Sequence, residues 1–184
     1  MAVSGGNQLL DALSVLKEVG IKQGYKVADL GCGAVGHFTF PAAEMVGKDG
    51  LVYAVDIRKI VLAGIKNRAR IDGLTNIEVV WSNLEVPKST GILNSSLDIA
   101  MLFNTLFQSK KREGVLKESI RMIKPQGYLA VVDWQLTDTL FGPVKEDRVD
   151  PEAVIQFCRN NGMELEKEFV AGKFHFGLLF KKIK

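Results

Sequence analysis

The sequence predicts an α/β protein built on a doubly wound, mostly parallel seven-stranded sheet, with helices on both faces and a C-terminal antiparallel hairpin. Three features carry that expectation. Apolar strand-like runs alternate with helix-like segments for five rounds, and such alternation lays parallel strands side by side through right-handed crossovers. A glycine-rich turn, Gly31 to Gly36, joins the first strand to its helix. At the other end two strand-like runs meet at Ala171-Gly172 without a helix between them, as in a hairpin.

Residues 1–6 are small and flexible in character, and Leu9, Leu10, Leu13, Leu16 and Val19 then recur at helical spacing up to Gly20. Residues 1–24 therefore read as a helical cap beside the sheet. The first strand holds Val27, Ala28 and Leu30, and the helix after the glycine turn runs from Phe38 to Val46. Leu51 to Asp56 is a second apolar strand, followed by a helix from Arg58 to Asp72 with Ile60, Val61, Ile65, Ala69 and Ile71 as its apolar positions. A turn at Gly73 to Asn76 leads into a third strand, Ile77 to Trp81. Glu85 to Ser96 is rich in Pro, Ser, Thr, Gly and Asn and reads as loop. The fourth strand is Leu97 to Phe103, and Lys110 to Ile123 is a helix stopped by Pro125-Gln126-Gly127. Strand five spans Tyr128 to Asp133, and the 135–150 loop precedes a helix from Pro151 to Asn161. Asp150 is placed to cap that helix, with Pro151 at its first position. Met163 to Val170 and Lys173 to Phe180 form the closing hairpin at the sheet edge, which puts His175 on an edge strand. No linker or repeat divides the chain, so residues 1–184 are expected to form one domain.

Composition narrows the function. Hydrophobic residues at 47% and charged residues at 24% are ordinary globular values. The net charge of +3 comes from 24 basic against 21 acidic residues, with the excess partly in Lys110-Lys111-Arg112 and the Lys181-to-Lys184 tail. Nucleic-acid binders concentrate basic charge more strongly, so a nucleic-acid partner is not expected. Two cysteines, no secretory leader and no long apolar run suggest a cytoplasmic protein without a membrane span. His37 and His175 are the sole histidines, and metal-ligand spacing is absent. Self-association into a homo-oligomer is compatible with the sequence.

The glycine turn is a nucleotide-type loop. Gly31-x-Gly33-x-x-Gly36 satisfies the dinucleotide fingerprint, but a dinucleotide would bring a pyrophosphate to this turn, and Asp29 would repel it. A ligand with an ammonium and a sulfonium, such as S-adenosylmethionine, would instead be attracted. Asp56 lies 20 residues beyond Gly36 at the end of its strand, where a carboxylate can accept from both ribose hydroxyls or cap the next helix. Ligands of such sheets bind outside the carboxyl ends of the strands, and Gly31, Asp56, Asn83, Phe103 and Asp133 all fall there.

On these residues a family resemblance rests. Val27-Ala28-Asp29-Leu30-Gly31-Cys32-Gly33 resembles motif I of the class I, seven-strand (Rossmann-like) S-adenosylmethionine-dependent methyltransferases. The stretch Ile120 to Leu129 is similar to the Leu-Lys-Pro-Gly-Gly phrase before strand five, and Phe103 to Gln108 matches the motif IV position. The resemblance implies S-adenosylmethionine as cofactor, held by Asp29, Gly31, Cys32, Gly33, Gly36, Phe38, Asp56, Ile57, Ser82, Asn83, Leu84, Phe103 and Asn104. Asn83 stands where the family more often has Asp, which could shift the adenine contact to Ser82. The Asn-Pro-Pro-aromatic form of base and glutamine methyltransferases is absent at 104–107. Trp134 through Gly142-Pro143 to Arg148, with Phe174-His175-Phe176-Gly177, looks most like small-molecule methyltransferases of the ubiquinone/menaquinone and arsenite type. The substrate cysteines of the arsenite branch are missing.

The implied reaction moves a methyl group from a sulfonium to a small-molecule acceptor. The leaving group is already activated, so the protein's main tasks are alignment and exclusion of water, with a base needed only if the acceptor must lose a proton. Asp133 and His37 are the catalytic candidates. Phe107, Trp134, Arg148 and His175 are the substrate candidates. Each has a structural alternative: a main-chain bond for His37, an ordinary strand position for His175, loop ordering for Asp133, and core packing for Phe107 and Trp134. An RNA or protein methyltransferase, a non-catalytic cofactor-binding module and a nicotinamide enzyme are the competing readings.

Overall fold

The computed structural model describes residues 9–137 and 142–184. The expected lead at 1–6, and residues 138–141 of the expected loop, lie outside the described residues. Seven strands form one sheet in the order β3-β2-β1-β4-β5-β7-β6. They are β1 (Lys26–Leu30), β2 (Leu51–Asp56), β3 (Ile77–Trp81), β4 (Leu97–Phe103), β5 (Ile123–Trp134), β6 (Met163–Ala171) and β7 (His175–Lys182). The first five pair in parallel, whereas β7 runs antiparallel to both β5 and β6. The helices are α1 (Ala12–Val19), α2 (Thr39–Val46), α3 (Lys59–Ile71), α4 (Arg112–Met122) and α5 (Pro151–Asn160). The doubly wound sheet with its C-terminal antiparallel strands is the architecture the sequence predicts.

Strand alternation sorts the core onto the two faces. On β1 and β4, Val27, Ile99 and Met101 face α1 and α2, while Ala28, Leu30, Ala100 and Leu102 face α4 and α5. Every residue of β4 is buried, as a central strand covered on both sides requires. A smaller cluster under α3 joins Phe40, Ala54, Leu62 and Ile65. On α1, Val15, Leu16 and Val19 are buried and Leu13 is exposed, and just before it Leu10 is buried and Leu9 exposed. The apolar stripe is thus rotated from the one read in the sequence.

Two boundaries differ from expectation. Strand β5 begins at Ile123, because β4 advances from Leu97 to Ile99 while β5 advances from Ile123 to Tyr128. The surplus residues form a bulge around Pro125, with Gln126 at φ 65, where a proline without an N–H costs no ladder bond. The Lys182 ammonium donates to the carbonyls of Ile120 (2.9 Å) and Ile123 (2.7 Å), satisfying the end of α4. The second difference is that β7 lies between β5 and β6, so His175 is on an interior strand and not on the sheet edge.

The Asp150 carboxylate accepts from the Glu152 N–H at 3.0 Å, with Pro151 opening α5. Asp150→Ala should therefore cost about 1 kcal/mol and lower Tm by roughly 2–4 °C, read from thermal unfolding. An unchanged Tm would show that the cap contributes nothing.

Candidate active site

The carboxyl ends of β1 to β4 open onto one cavity of about 310 Å³. Gly31 follows β1, Asp56 to Arg58 end β2, Ser82 to Glu85 follow β3, and Thr105 and Gln108 follow β4. Ser109 and Val115 complete it from the side of α4.

The glycine loop is held by contacts from both sides. Gly31, Gly33 and Gly36 have φ of +90, +69 and +59, a region disfavoured for side-chain-bearing residues. A Cβ on Gly31 would stand 2.6 Å from the Thr105 hydroxyl, which itself donates to the Leu30 carbonyl at 2.8 Å. One on Gly36 would stand 2.7 Å from Ile65 of α3. The loop is drawn against β2, as the N–H groups of Gly31 and Cys32 both donate to the Val55 carbonyl (2.8 and 3.0 Å).

Asp56 is 5% exposed and lines the cavity. Its carboxylate accepts from the N–H groups of Gly33 (3.2 Å) and Arg58 (2.9 Å), so the loop and the strand end fix its orientation together. Ile57 is exposed beside it, and its carbonyl accepts from the Trp81 indole at 2.8 Å. Across the cavity, Asn83 Oδ1 accepts from the Glu85 N–H at 3.0 Å, and the Ser82 and Ser89 hydroxyls are 2.7 Å apart.

Of the thirteen cofactor residues that the resemblance implies, Gly31, Asp56, Ile57, Ser82, Asn83 and Leu84 line this cavity. The others lie beneath or beside it. Asp29 is buried below the loop and accepts from the Thr39 hydroxyl at 2.6 Å, tying β1 to the first turn of α2. Burial pushes its carboxyl up to about 6, against the pull of the Thr39 bond, and the Asp56 charge pushes the same way as burial. Cys32 is buried, and that burial pushes its thiol upward, so it is a packing residue and not a thiolate. Phe38 and Phe103 are buried edge-to-face at 4.6 Å. Asn104 is buried at φ 53, and its carbonyl accepts from the Gln108 amide at 2.6 Å.

The catalytic and substrate candidates Asp133, His37, Phe107, Trp134, Arg148 and His175 do not line this cavity. Asp133 is fully buried and accepts from the N–H groups of Trp134 (2.9 Å) and Phe107 (3.3 Å). It anchors the 3-10 turn Leu106–Gln108 and does not line the cavity. Burial pushes its carboxyl up to about 7, with main-chain donors pulling it back. His37 Nε2 lies 2.9 Å from the Leu10 carbonyl, so the ring pins the segment before α1 to the glycine loop. Trp134 and His175 are buried against each other, ring centroids 4.3 Å apart, and are not cavity walls. Burial, with the Arg148 charge second, lowers the His175 imidazole to about 4. Arg148 is buried too, donating to the carbonyls of Pro143 (3.1 Å), Gln135 (2.9 Å) and Thr137. It fastens the chain after β5. Phe107 is half-buried against the core beside the turn that Asp133 holds.

Sequence reasoning missed Arg58, Thr105, Glu85, Gln108, Ser109 and Val115 as cavity residues. A basic residue two places after the strand-end acid was a readable signal for Arg58. Nothing local marked Thr105, whose role comes from β4 lying parallel beside β1, so that the residue after its end meets Gly31. Among the described residues no cluster of metal-ligating side chains is present, and no helix is long and apolar enough to cross a membrane.

A family model described as a methyltransferase domain matches residues 21–174. A crystal structure of a SAM dependent methyltransferase from Aquifex aeolicus matches with a TM-score of 0.84 and 29% identity, covering 97% of this chain and 93% of that one. Demethylmenaquinone methyltransferase from Geobacillus stearothermophilus is 28% identical over 129 residues, 70% of this chain and 53% of that protein. Sterol 24-C-methyltransferase from Aspergillus fumigatus is 29% identical over 126 residues, 66% of this chain and 31% of that protein. The chain thus spans about half or less of the length of these two curated relatives.

Proposed function

The chain belongs to the methyltransferase domain family, and from that premise we propose that it transfers a methyl group from S-adenosylmethionine to a small-molecule acceptor, with residues 1–184 acting as a single domain. The observation that carries this reading is Asp56, oriented by the Gly33 and Arg58 N–H groups at the wall of the cavity below β2. Two carboxylate oxygens presented in this way suit the paired hydroxyls of a ribose.

S-adenosylmethionine, when bound, supplies a methyl group on a positively charged sulfur. The residues present suit it. The Gly31–Gly36 main chain admits a close approach that a Cβ would block. Asp29, buried two residues before Gly31, favours a cation over a phosphate near that loop. Ile57 and Leu84 offer apolar contact to an adenine, with Ser82 and Asn83 at its edge. Asp133 positions the 105–108 turn at the cavity, and His37 holds the N-terminal segment over the loop. Neither side chain is placed to take a proton, so we assign the chain the work of alignment and water exclusion and leave acidity to the acceptor. The names of the menaquinone and sterol relatives support an apolar small acceptor in solution or at a membrane surface.

That neither Asp133 nor His37 lines the cavity also supports the second reading, a non-catalytic cofactor-binding module. Calorimetry with S-adenosylhomocysteine, followed by transfer of labelled methyl to quinol, sterol, RNA and protein acceptors, separates the two. Binding with transfer to a small acceptor is the expected result. Binding with no transfer to any acceptor would favour the module, and NAD binding in place of S-adenosylhomocysteine would overturn both.

A further inference from the structure

A carboxylate offers about four lone-pair directions, and on Asp56 four donors already use them. Two are the main-chain N–H groups of Gly33 and Arg58 described above. The other two belong to the Arg58 guanidinium, with Nε 3.1 Å from Oδ1 and Nη2 3.2 Å from Oδ2. The main-chain donors are part of the turn and stay. The guanidinium is the removable pair, because the Arg58 side chain is 58% exposed whereas that of Asp56 is 5% exposed. Among the described residues the guanidinium hydrogen-bonds to Asp56 alone. A ribose diol brings two O–H donors to the same two oxygens, so guanidinium and ribose compete for one carboxylate.

We propose that Arg58 is a latch on the ribose carboxylate: its two-pronged ion pair with Asp56 must open, with the side chain swinging into solvent, before an adenosyl ligand is bound. This inference rests on the reading of the cavity as an adenosyl site. Two consequences follow from it. Removing the guanidinium removes a competitor and tightens binding. Salt, which screens the partly exposed ion pair but has little hold on a ligand of no net charge, also tightens binding to the wild type.

The test is calorimetry with S-adenosylhomocysteine on the full chain and on Arg58→Met and Arg58→Lys, each at low and high NaCl. Arg58→Met keeps much of the aliphatic stem and removes the charge, and it should bind about two- to fivefold tighter than wild type, the span expected of a partly exposed pair. Arg58→Lys, with a charge but no fork, should fall between them. The wild-type Kd should drop as salt rises while that of Arg58→Met stays level. Equal or weaker binding by both variants, with wild-type binding intact, would overturn the latch and leave the adenosyl site standing. No binding by any of the three proteins would remove the adenosyl site and the latch with it.

Discussion

Asp56→Ala should weaken S-adenosylhomocysteine binding by about 1–3 kcal/mol, roughly five- to 150-fold in Kd, the range for losing a charged hydrogen-bond acceptor. The carboxylate is nearly buried, and the Gly33 and Arg58 N–H groups have already paid its orientation. Its removal therefore costs ligand bonds that nothing else at the end of β2 replaces. The effect is not additive with substitution of Arg58. Once Asp56 is gone the guanidinium has nothing to close, so Asp56→Ala with Arg58→Met should bind as Asp56→Ala alone does. Thermal unfolding of the variants separates a lost contact from a disordered loop. Unchanged affinity in a folded Asp56→Ala protein would remove this residue from the site.

The largest effect on stability is expected at Asp133, and it depends on pH. Its carboxyl sits at about 7 in the folded protein against a usual 3.8, because burial disfavours the charge. The folded state therefore holds this proton more tightly than the unfolded chain does. Its contribution to stability falls as pH rises from about 4 to about 7, and above that the buried charge is carried in full. The rise from 3.8 to about 7 corresponds to at most roughly 4 kcal/mol. Asparagine cannot titrate, so Asp133→Asn should gain on the wild type by up to that amount between pH 4 and pH 8. It should carry a constant deficit besides, since its amide nitrogen faces a main-chain N–H that the second carboxylate oxygen accepted. Asp29, at about 6, acts in the same direction over a narrower window. His175, lowered to about 4, acts oppositely, because its stability contribution is lost as pH falls below about 6.5. Both groups are present in both proteins and cancel in the difference. Urea unfolding at several pH values measures it, and a gap that stays constant across pH would disprove the assignment.

Much of the architecture is written along the chain because its causes are local. Alternation and end signals locate β2, β3 and β4 at the residues where the structure has them. Three glycines at fixed spacing need positive φ at those positions and have it. Asp150 before Pro151 caps α5 as read. The sequence starts strand β5 five residues late because Pro125 and Gly127 look like a stop, whereas a bulge opposite Leu97 and Ile99 carries them inside the sheet.

The site was legible in outline only. The sequence alone determined that a glycine turn and an acid at the next strand end would meet at one edge of a parallel sheet, since topology brings all such ends together. Tertiary structure decided which side chains reach the cavity. Trp134, Arg148 and His175 looked like pocket residues but are covered, because β7 enters between β5 and β6 and the chain after β5 folds back over them. Thr105 and Arg58 looked ordinary but stand at the cavity, one beneath Gly31 and the other closing on Asp56. The physical reason is that propensity and turn chemistry act between neighbours in sequence, while burial and the pairing of a charge are set by the register of strands far apart in it.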